Sequence, residues 1–356
     1  MRNCLEFTRV KISVGIFAYN EESRIGETLA SLRGQDLFDP AVLPDTRIEV
    51  VVLPNGCRDR TAAVAQAALD QHFRDLPQVD ARVENLTEPG KSRTWNVYVH
   101  RLADAQADLL IFMDGDIQLV GASTLRSMVQ ALAAHPEAHA SVDVILKDIA
   151  FKTNLSAREK ASLAASELTR SGPPKLAGSL YVARGPVARG IWMPEGLLVE
   201  DGYLKAMLCT DSFTRPENQG RLVRADDAAH TFEAVTDLRI LFKHEVRLLV
   251  GSAVNFILFA HLRERAAATG RDGGALVGEW NAGDPGWFPR LVDEKLKAKG
   301  WWLAPLGFIP LPMRQLKNLP RGQALKRLPT ALVRVAFNLA AAWSANGQLR
   351  RRAFKW

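Results

Sequence analysis

One stretch constrains this chain more than any other: Leu109-Leu110-Ile111-Phe112-Met113-Asp114-Gly115-Asp116-Ile117. Apolar residues run without a break into two carboxylates separated by one glycine. A short apolar run bounded by polar residues predicts a strand covered on both faces, as in a parallel α/β sheet. The acids then fall at the strand's carboxyl end, where open α/β sheets bind ligands. Two carboxylates this close repel one another unless a cation lies between them, and hard divalent cations prefer carboxylate oxygens. The same tripeptide also serves as a plain turn, so the rest of the chain must decide between the two readings.

The flanking pattern alternates. Residues 11–18 are rich in β-branched side chains and predict a first strand. It runs into Tyr19-Asn20-Glu21-Glu22-Ser23, and a helical pattern follows through Ile25, Leu29 and Leu32. Residues 48–53 predict a second strand, ending in Pro54-Asn55-Gly56-Cys57-Arg58-Asp59-Arg60-Thr61 before an alanine-rich helix over 62–72. Strand, polar loop and helix, twice over, predict a doubly wound parallel sheet. A third strand is expected at 81–85, helices at 94–103 and 123–134, and another strand at 141–146. Beyond this the alternation weakens. A helix is expected over 155–168, opened by Ser156 with Glu159 at capping-box spacing. A strand is expected at 179–183, a helix starting near Glu200-Asp201, a short strand in 222–232 and a long helix over 238–265. The glycine-rich stretch 271–286 is expected to be a mobile loop, a lid.

Composition narrows the setting. Three scattered cysteines form neither a disulfide framework nor a metal cluster, which suits a reducing cytosol. Residues 1–9 do not read as a signal peptide, and no run of about 18 uncharged apolar residues occurs, so a cytoplasmic protein without a spanning helix is expected. The net charge of +7 hides an asymmetry: Glu294 is the last acid, and residues 295–356 carry 13 Lys and Arg. A basic tail on a slightly acidic body implies an anionic partner. Trp301, Trp302, Trp343 and Trp356 place half of the eight tryptophans there, beside an apolar helical stretch over 330–345 and Arg350-Arg351-Arg352. That is the make-up of a segment lying on an anionic membrane surface, although a terminal helix packed on the domain has the same pattern. Nucleic acid is set aside, because no recognition motif accompanies the charge.

In this order, Ala18-Tyr19-Asn20-Glu21, the loop 55–61, Gly90-Lys91 with Asn96, Asp114-Gly115-Asp116 and Glu200-Asp201 resemble the family 2 glycosyltransferases of GT-A fold. The resemblance covers roughly residues 10–250. It implies an α/β, Rossmann-like, mostly parallel central sheet flanked by helices, with a helical, basic C-terminal extension, divided as 1–265 and 266–356. It also implies a nucleotide-diphospho-sugar donor, a UDP-sugar ahead of a GDP-sugar, and Mn²⁺ or Mg²⁺ as cofactor. Asp116 would coordinate the cation, and Asp114 would bond the ribose or share the cation. Ala18, Asn20 and Glu21 would line the nucleotide end of the cleft. Asn55 stands where the family usually carries an acid that meets the base; an amide offers both donor and acceptor. Lys91 would approach the base or the phosphates. Asp201 would be the general base that deprotonates an acceptor hydroxyl, with inversion. Glu200-Asp201 also suits a helix N-terminus as plain dipole compensation. His230 would be a third metal ligand.

The polymer-building members carry a Gln-x-x-Arg-Trp motif, and its nearest match here, His244-Glu245-Val246-Arg247-Leu248, keeps only the arginine. Transfer of a single sugar to a glycan or lipid precursor, at the inner membrane face, is therefore expected. A sugar nucleotidyltransferase of similar fold would need a glycine-rich phosphate loop after the first strand, which residues 18–21 do not resemble. A non-catalytic nucleotide-sugar scaffold would not need Asp116 and Asp201.

Overall fold

The computed structural model describes residues 10–42, 46–156, 159–160, 163, 172–235, 237–317 and 319–353. Its centre is an eight-stranded sheet in the order β3-β2-β1-β4-β7-β6-β8-β5. The strands are β1 (Lys11–Ala18), β2 (Arg47–Pro54), β3 (Val79–Val83), β4 (Leu109–Asp114), β5 (Gln118–Val120), β6 (Ala140–Lys147), β7 (Leu180–Arg184) and β8 (Leu222–Phe232). Strands β3, β2, β1 and β4 run parallel. Strand β7 lies antiparallel between β4 and β6, β8 runs parallel to β6, and β5 closes the edge antiparallel to β8.

The unbroken apolar run of β4 has a simple cause. Successive side chains of a strand point to opposite faces. Leu109, Ile111 and Met113 enter one buried cluster, and Leu110 and Phe112 enter the other. The first cluster holds Ile25, Leu29 and Leu32 of α1 (Ile25–Arg33), Ala65 and Leu69 of α2 (Thr61–His72), and Met128 and Leu132 of α4 (Thr124–Ala134). The second holds Trp95 of α3 (Lys91–Val97); the Trp95 and Tyr181 rings lie near-parallel to Phe112 at 5.5 and 4.4 Å, and Trp95 Nε1 donates to Tyr181 Oη at 2.7 Å. A strand buried on both sides has no position for a polar residue until it leaves the sheet.

The same second cluster takes in the helices α5 (Gly185–Arg189), α6 (Glu200–Cys209), α7 (Leu238–Thr269), α8 (Gly273–Gly283), α9 (Trp287–Ala298) and α11 (Arg321–Arg351); the short α10 (Leu311–Leu316) precedes α11 in the chain. Helix α7 starts at Asp237, whose carboxylate accepts from the Arg239 and Ile240 amides, and ends at Gly270 in the left-handed conformation. By length and composition α7 could cross a membrane, but 56% of its most apolar window is buried inside the protein. Helix α11 lies along it, burying Ala341, Ala345 and Leu349 in the shared cluster.

Two expectations are corrected. The stretch 271–286 is not a mobile loop: it contains helix α8, capped by Asp272 on the Ala275 amide at 2.9 Å. Gly274 and Gly278 serve close packing: a Cβ at Gly278 would lie 2.8 Å from the Trp192 ring, and one at Gly274 would run into Gly190 O. The helix expected over 94–103 starts earlier, at Lys91, and closes in a wider π turn over Tyr98–Leu102. Most of the helix expected over 155–168 lies outside the described residues. Its capping box is present: Glu159 accepts from the Ser156 amide at 2.8 Å, and Ser156 Oγ accepts from the Glu159 amide at 3.3 Å.

Candidate active site

The register of the sheet assembles the site. Phe17 of β1 lies opposite Asp114 of β4, and Ala18 opposite Pro54 of β2. Three strands therefore end side by side, and their loops meet at one edge. The Gly115 amide donates to Phe17 O at 2.8 Å, and Thr28 Oγ1 donates to Gly115 O at 2.9 Å. A Cβ at Gly115 would lie 2.9 Å from that of Ala18, so the loop between the two acids can press on the end of β1 only because it is glycine there.

The first two loops interlock. Asn20 adopts a left-handed backbone, which asparagine tolerates, and its Oδ1 accepts from the Arg58 amide at 2.8 Å. The Glu21 amide donates to Thr61 Oγ1 at 2.7 Å. Asn55 is buried; its Nδ2 donates to Ala18 O at 2.8 Å and its Oδ1 accepts from the Gly90 amide at 3.2 Å. Ala18, Asn20, Glu21 and Asn55 are thus brought together. The Asn55 amide spends its bonds on the backbone of two other loops.

The charges are concentrated. Glu21 is pushed up to about 7 by burial and by the Asp116 carboxylate, with Asp114 adding to it. Burial raises Asp114 to about 6, against the pull of Lys91. Lys91 Nζ sits 2.6 Å from Asp114 Oδ1, 3.3 Å from Glu200 Oε1 and 3.2 Å from Gly178 O. Burial works against the charge on Lys91, but the two carboxylates outweigh it and hold its pKa above the usual lysine range. Lys91 therefore joins the end of β4 to the start of α6. Asp201, the second residue of α6, is half-buried, and burial raises its carboxyl above the usual range while its Oδ1 accepts from the Gly202 amide at 2.6 Å.

His230 lies in β8, fully buried, with Nδ1 2.7 Å from Asp143 Oδ2 and Nε2 3.0 Å from Ser179 Oγ. Ser179 O in turn accepts from the Asp114 amide at 2.8 Å. His230 is thus linked to the acidic loop through Ser179. Among the described residues, no three His, Cys, Asp or Glu side chains gather at metal-ligating spacing. The donor chemistry nevertheless suits a hard cation. Asp116 and Asp114 raise the cost of charging Glu21, Asp116 raises that of Asp114, and carboxylate oxygens are what Mg²⁺ and Mn²⁺ take.

Sequence reasoning missed three members of this arrangement. Asp143 had a signal, an acid inside an apolar strand. The roles of Ser179 and of the Lys91–Glu200 pair had none, because their partners lie 51 and more residues away.

Residues 13–181 match the family model described as Glycosyl transferase family 2. With the sheet order and the acids at the strand ends, this part of the chain is a family 2 glycosyltransferase domain of GT-A fold, as its motifs imply. Over 130 residues the chain is 32% identical to 4,4'-diaponeurosporenoate glycosyltransferase of Staphylococcus haemolyticus (strain JCSC1435). That match takes in 35% of this chain and 29% of the relative, so it spans less than a third of the relative's length. In three dimensions the chain is similar to a mannosyltransferase from Pyrobaculum calidifontis solved with GDP-Man and Mn²⁺. The TM-score is 0.53 at 18% identity, with 95% of this chain and 88% of that one covered. A glucosyl-3-phosphoglycerate synthase from Mycobacterium tuberculosis, in complex with Mn²⁺, UDP-Glc and phosphoglyceric acid, overlaps 68% of this chain and 79% of its own at 20% identity and a TM-score of 0.42.

Proposed function

We propose that this protein is a metal-dependent glycosyltransferase that moves one sugar from a nucleotide-diphospho-sugar to an acceptor hydroxyl, with inversion. The observation that carries this reading is the set of carboxylates gathered around Lys91 where β1, β4 and α6 meet. Such a set is costly for an empty protein and useful for one that receives a cation with a diphosphate.

The cation, Mn²⁺ or Mg²⁺, would be held by Asp116 and shared by Asp114. His230 is fit to join them: its Nε2 faces a neutral hydroxyl it can give up, while Asp143 fixes Nδ1, the usual support of a metal-binding histidine. A bound cation supplies Lewis-acid stabilisation of the departing nucleoside diphosphate. Lys91 would transfer its contact from Asp114 to the phosphates. Ala18, Asn20 and Glu21 wall the nucleotide end, and Asn55 shapes that wall by tying the loops. Asp201 takes the proton of the acceptor hydroxyl as the oxygen attacks the anomeric carbon; an ionised carboxylate within hydrogen-bond reach is what that step needs.

We place the protein in the cytoplasm, with residues 295–356 resting on an anionic membrane face. Exposed Leu325, Leu332, Val333, Leu339 and Trp343 on α11, interleaved with arginines and lysines, support that placement.

The test is thermal unfolding against UDP, GDP, CMP and their sugars, with and without Mn²⁺, beside Asp116→Ala. A ligand at about 100 times its Kd stabilises by roughly 2.7 kcal/mol. The expected result is a shift with UDP or GDP that needs Mn²⁺ and disappears in the variant. Folded protein that shows no metal-dependent shift with any nucleotide would overturn the reading in favour of a scaffold.

A further inference from the structure

The segment that leads into Asp201 also walls a second cavity. This space, of about 340 Å³, lies between α7 and α11 and within the size range of small-molecule sites. Its floor is apolar, with Leu198, Phe242 and Val250, and Lys243 and Arg247 stand at its mouth. Gln348 of α11 adds a polar edge, and among the described residues no carboxylate side chain lines the space. Neither basic side chain has an ion-pair partner among the described residues. The Arg247 guanidinium donates to Leu198 O at 3.2 Å, three residues before Asp201, and its charge acts on the Asp201 carboxyl. The connection to the candidate base is firm, because Asn255 Nδ2 donates to Val199 O at 2.9 Å.

We propose that this cavity holds the acceptor, and that the acceptor is an amphiphile with an apolar body and an anionic head, a phosphate or a carboxylate. The proposal rests on the glycosyl-transfer reading above and names the substrate class for it. A neutral glycan would leave an apolar floor uncovered and two cations unpaired. An acidic but wholly polar acceptor would satisfy the cations and not the floor. An amphiphile satisfies both, and the apolar, acid-free face of α11 leaves the cavity approachable from a lipid layer. In the reaction a hydroxyl oxygen of the acceptor forms the new bond to the anomeric carbon. The bond from that carbon to the diphosphate breaks with its electron pair leaving on the diphosphate, and the hydroxyl proton passes to Asp201.

The experiment is equilibrium binding of dodecyl phosphate to the full chain below its micellar concentration. Dodecanoate, dodecanol and inorganic phosphate are measured beside it, on wild type and on Lys243→Glu, an exposed position. Nucleotide-dependent unfolding is followed on the same preparations. Dodecyl phosphate or dodecanoate is expected to bind at least tenfold more tightly than dodecanol or phosphate, and the better of the two names the head group. Affinity should rise by up to about fourfold per methylene in shorter homologues until the floor is covered. Lys243→Glu should weaken binding tenfold or more. Binding unchanged in that variant, or inorganic phosphate binding as well as the amphiphile, overturns the proposal. If the nucleotide shift is present and no amphiphile binds, this inference fails while the donor site stands. If amphiphile binds and no nucleotide does, the transferase reading fails, and the acceptor assignment with it.

Discussion

Gly251 of α7 is the sharpest place to test how the long helix positions the candidate base. A glycine inside a helix costs about 1 kcal/mol relative to alanine, so Gly251→Ala should stabilise the protein if the helix alone decided. The packing says the opposite. A Cβ at residue 251 would lie 2.9 Å from Val199 Cβ and closer still to Val199 Cγ2, with Leu198 Cβ at 3.5 Å. Carbon atoms settle at about 3.5–4.0 Å, so the segment 198–199 would have to retreat by about 1 Å or more. Overpacking of this kind costs about 1–3 kcal/mol, which equals or exceeds the gain in helix propensity. The retreat is also directional. Val199 is the residue before α6, so Glu200 and Asp201 move with it, and the 3.3 Å contact of Glu200 with Lys91 stretches. The expected outcome is a net destabilisation of up to about 2 kcal/mol, read by urea unfolding. Mn²⁺-dependent donor hydrolysis should fall at least tenfold, since a displacement near 1 Å at a catalytic group costs that much or more. Nucleotide binding should persist, because the loops of β1 and β2 are remote from the change. A Gly251→Ala protein that is more stable than wild type and hydrolyses donor at the wild-type rate would refute the reasoning.

Three further outcomes follow from the same contacts. Asn55→Asp replaces an amide donor with a carboxylate oxygen 2.8 Å from Ala18 O; the lost bond and the repulsion should cost about 1–3 kcal/mol, measured by urea unfolding, and unchanged stability would show that Asn55 does not tie the loops. His230→Ala strips Asp143 and Ser179 of a shared partner, so the melting temperature should fall in the absence of any cation as well as in its presence; a loss confined to the Mn²⁺ arm of a calorimetric scan would remove the structural half of its role. As the proposed base, Asp201 would work only when ionised, and burial raises its pKa. Donor turnover should therefore decline toward acid with a limb above the ordinary aspartate value of about 3.9, and Asp201→Asn should abolish that limb in a pH–rate profile.

What could be read from the chain and what could not divide along a physical line. Strand β4 was legible because burial on both faces leaves an unbroken apolar run, and its acids mark the point where the strand leaves the sheet. The interlocked loops 18–23 and 54–61 were legible because each is a local departure from a strand. The Asp143–His230 pair was half-legible: an acid in an apolar strand asks for a partner, but nothing local says it lies 87 residues on. The segment 271–286 was misread because glycine has two uses with one appearance. It loosens a loop, and it also lets a helix approach a bulky neighbour, and only Trp192, 86 residues earlier, distinguishes the two at Gly278.

The position of Lys91 explains how the site can exist before any ligand arrives. Asp114 and Glu200 come from elements 86 residues apart in sequence, and burial drives Asp114 toward the neutral form. A lysine between them removes that cost and holds β4 and α6 in register. Lysine suits the task better than arginine would, because its ammonium is a compact charge on a flexible stem and forms no two-point clamp on a carboxylate. Its contact with Asp114 can therefore be exchanged for a phosphate oxygen without moving the backbone. In the proposed donor complex, a cation accompanying the diphosphate would be held by Asp114 and would supply the neutralisation that Lys91 gives it in the free protein. Lys91→Met should accordingly lower the stability of the free protein by about 1–2 kcal/mol, between the values for exposed and for fully buried pairs because all three side chains keep some contact with solvent, as measured by urea unfolding. The deficit should shrink when Mn²⁺ and the nucleotide are both added. An equal deficit with and without them would show that the lysine has a structural task alone.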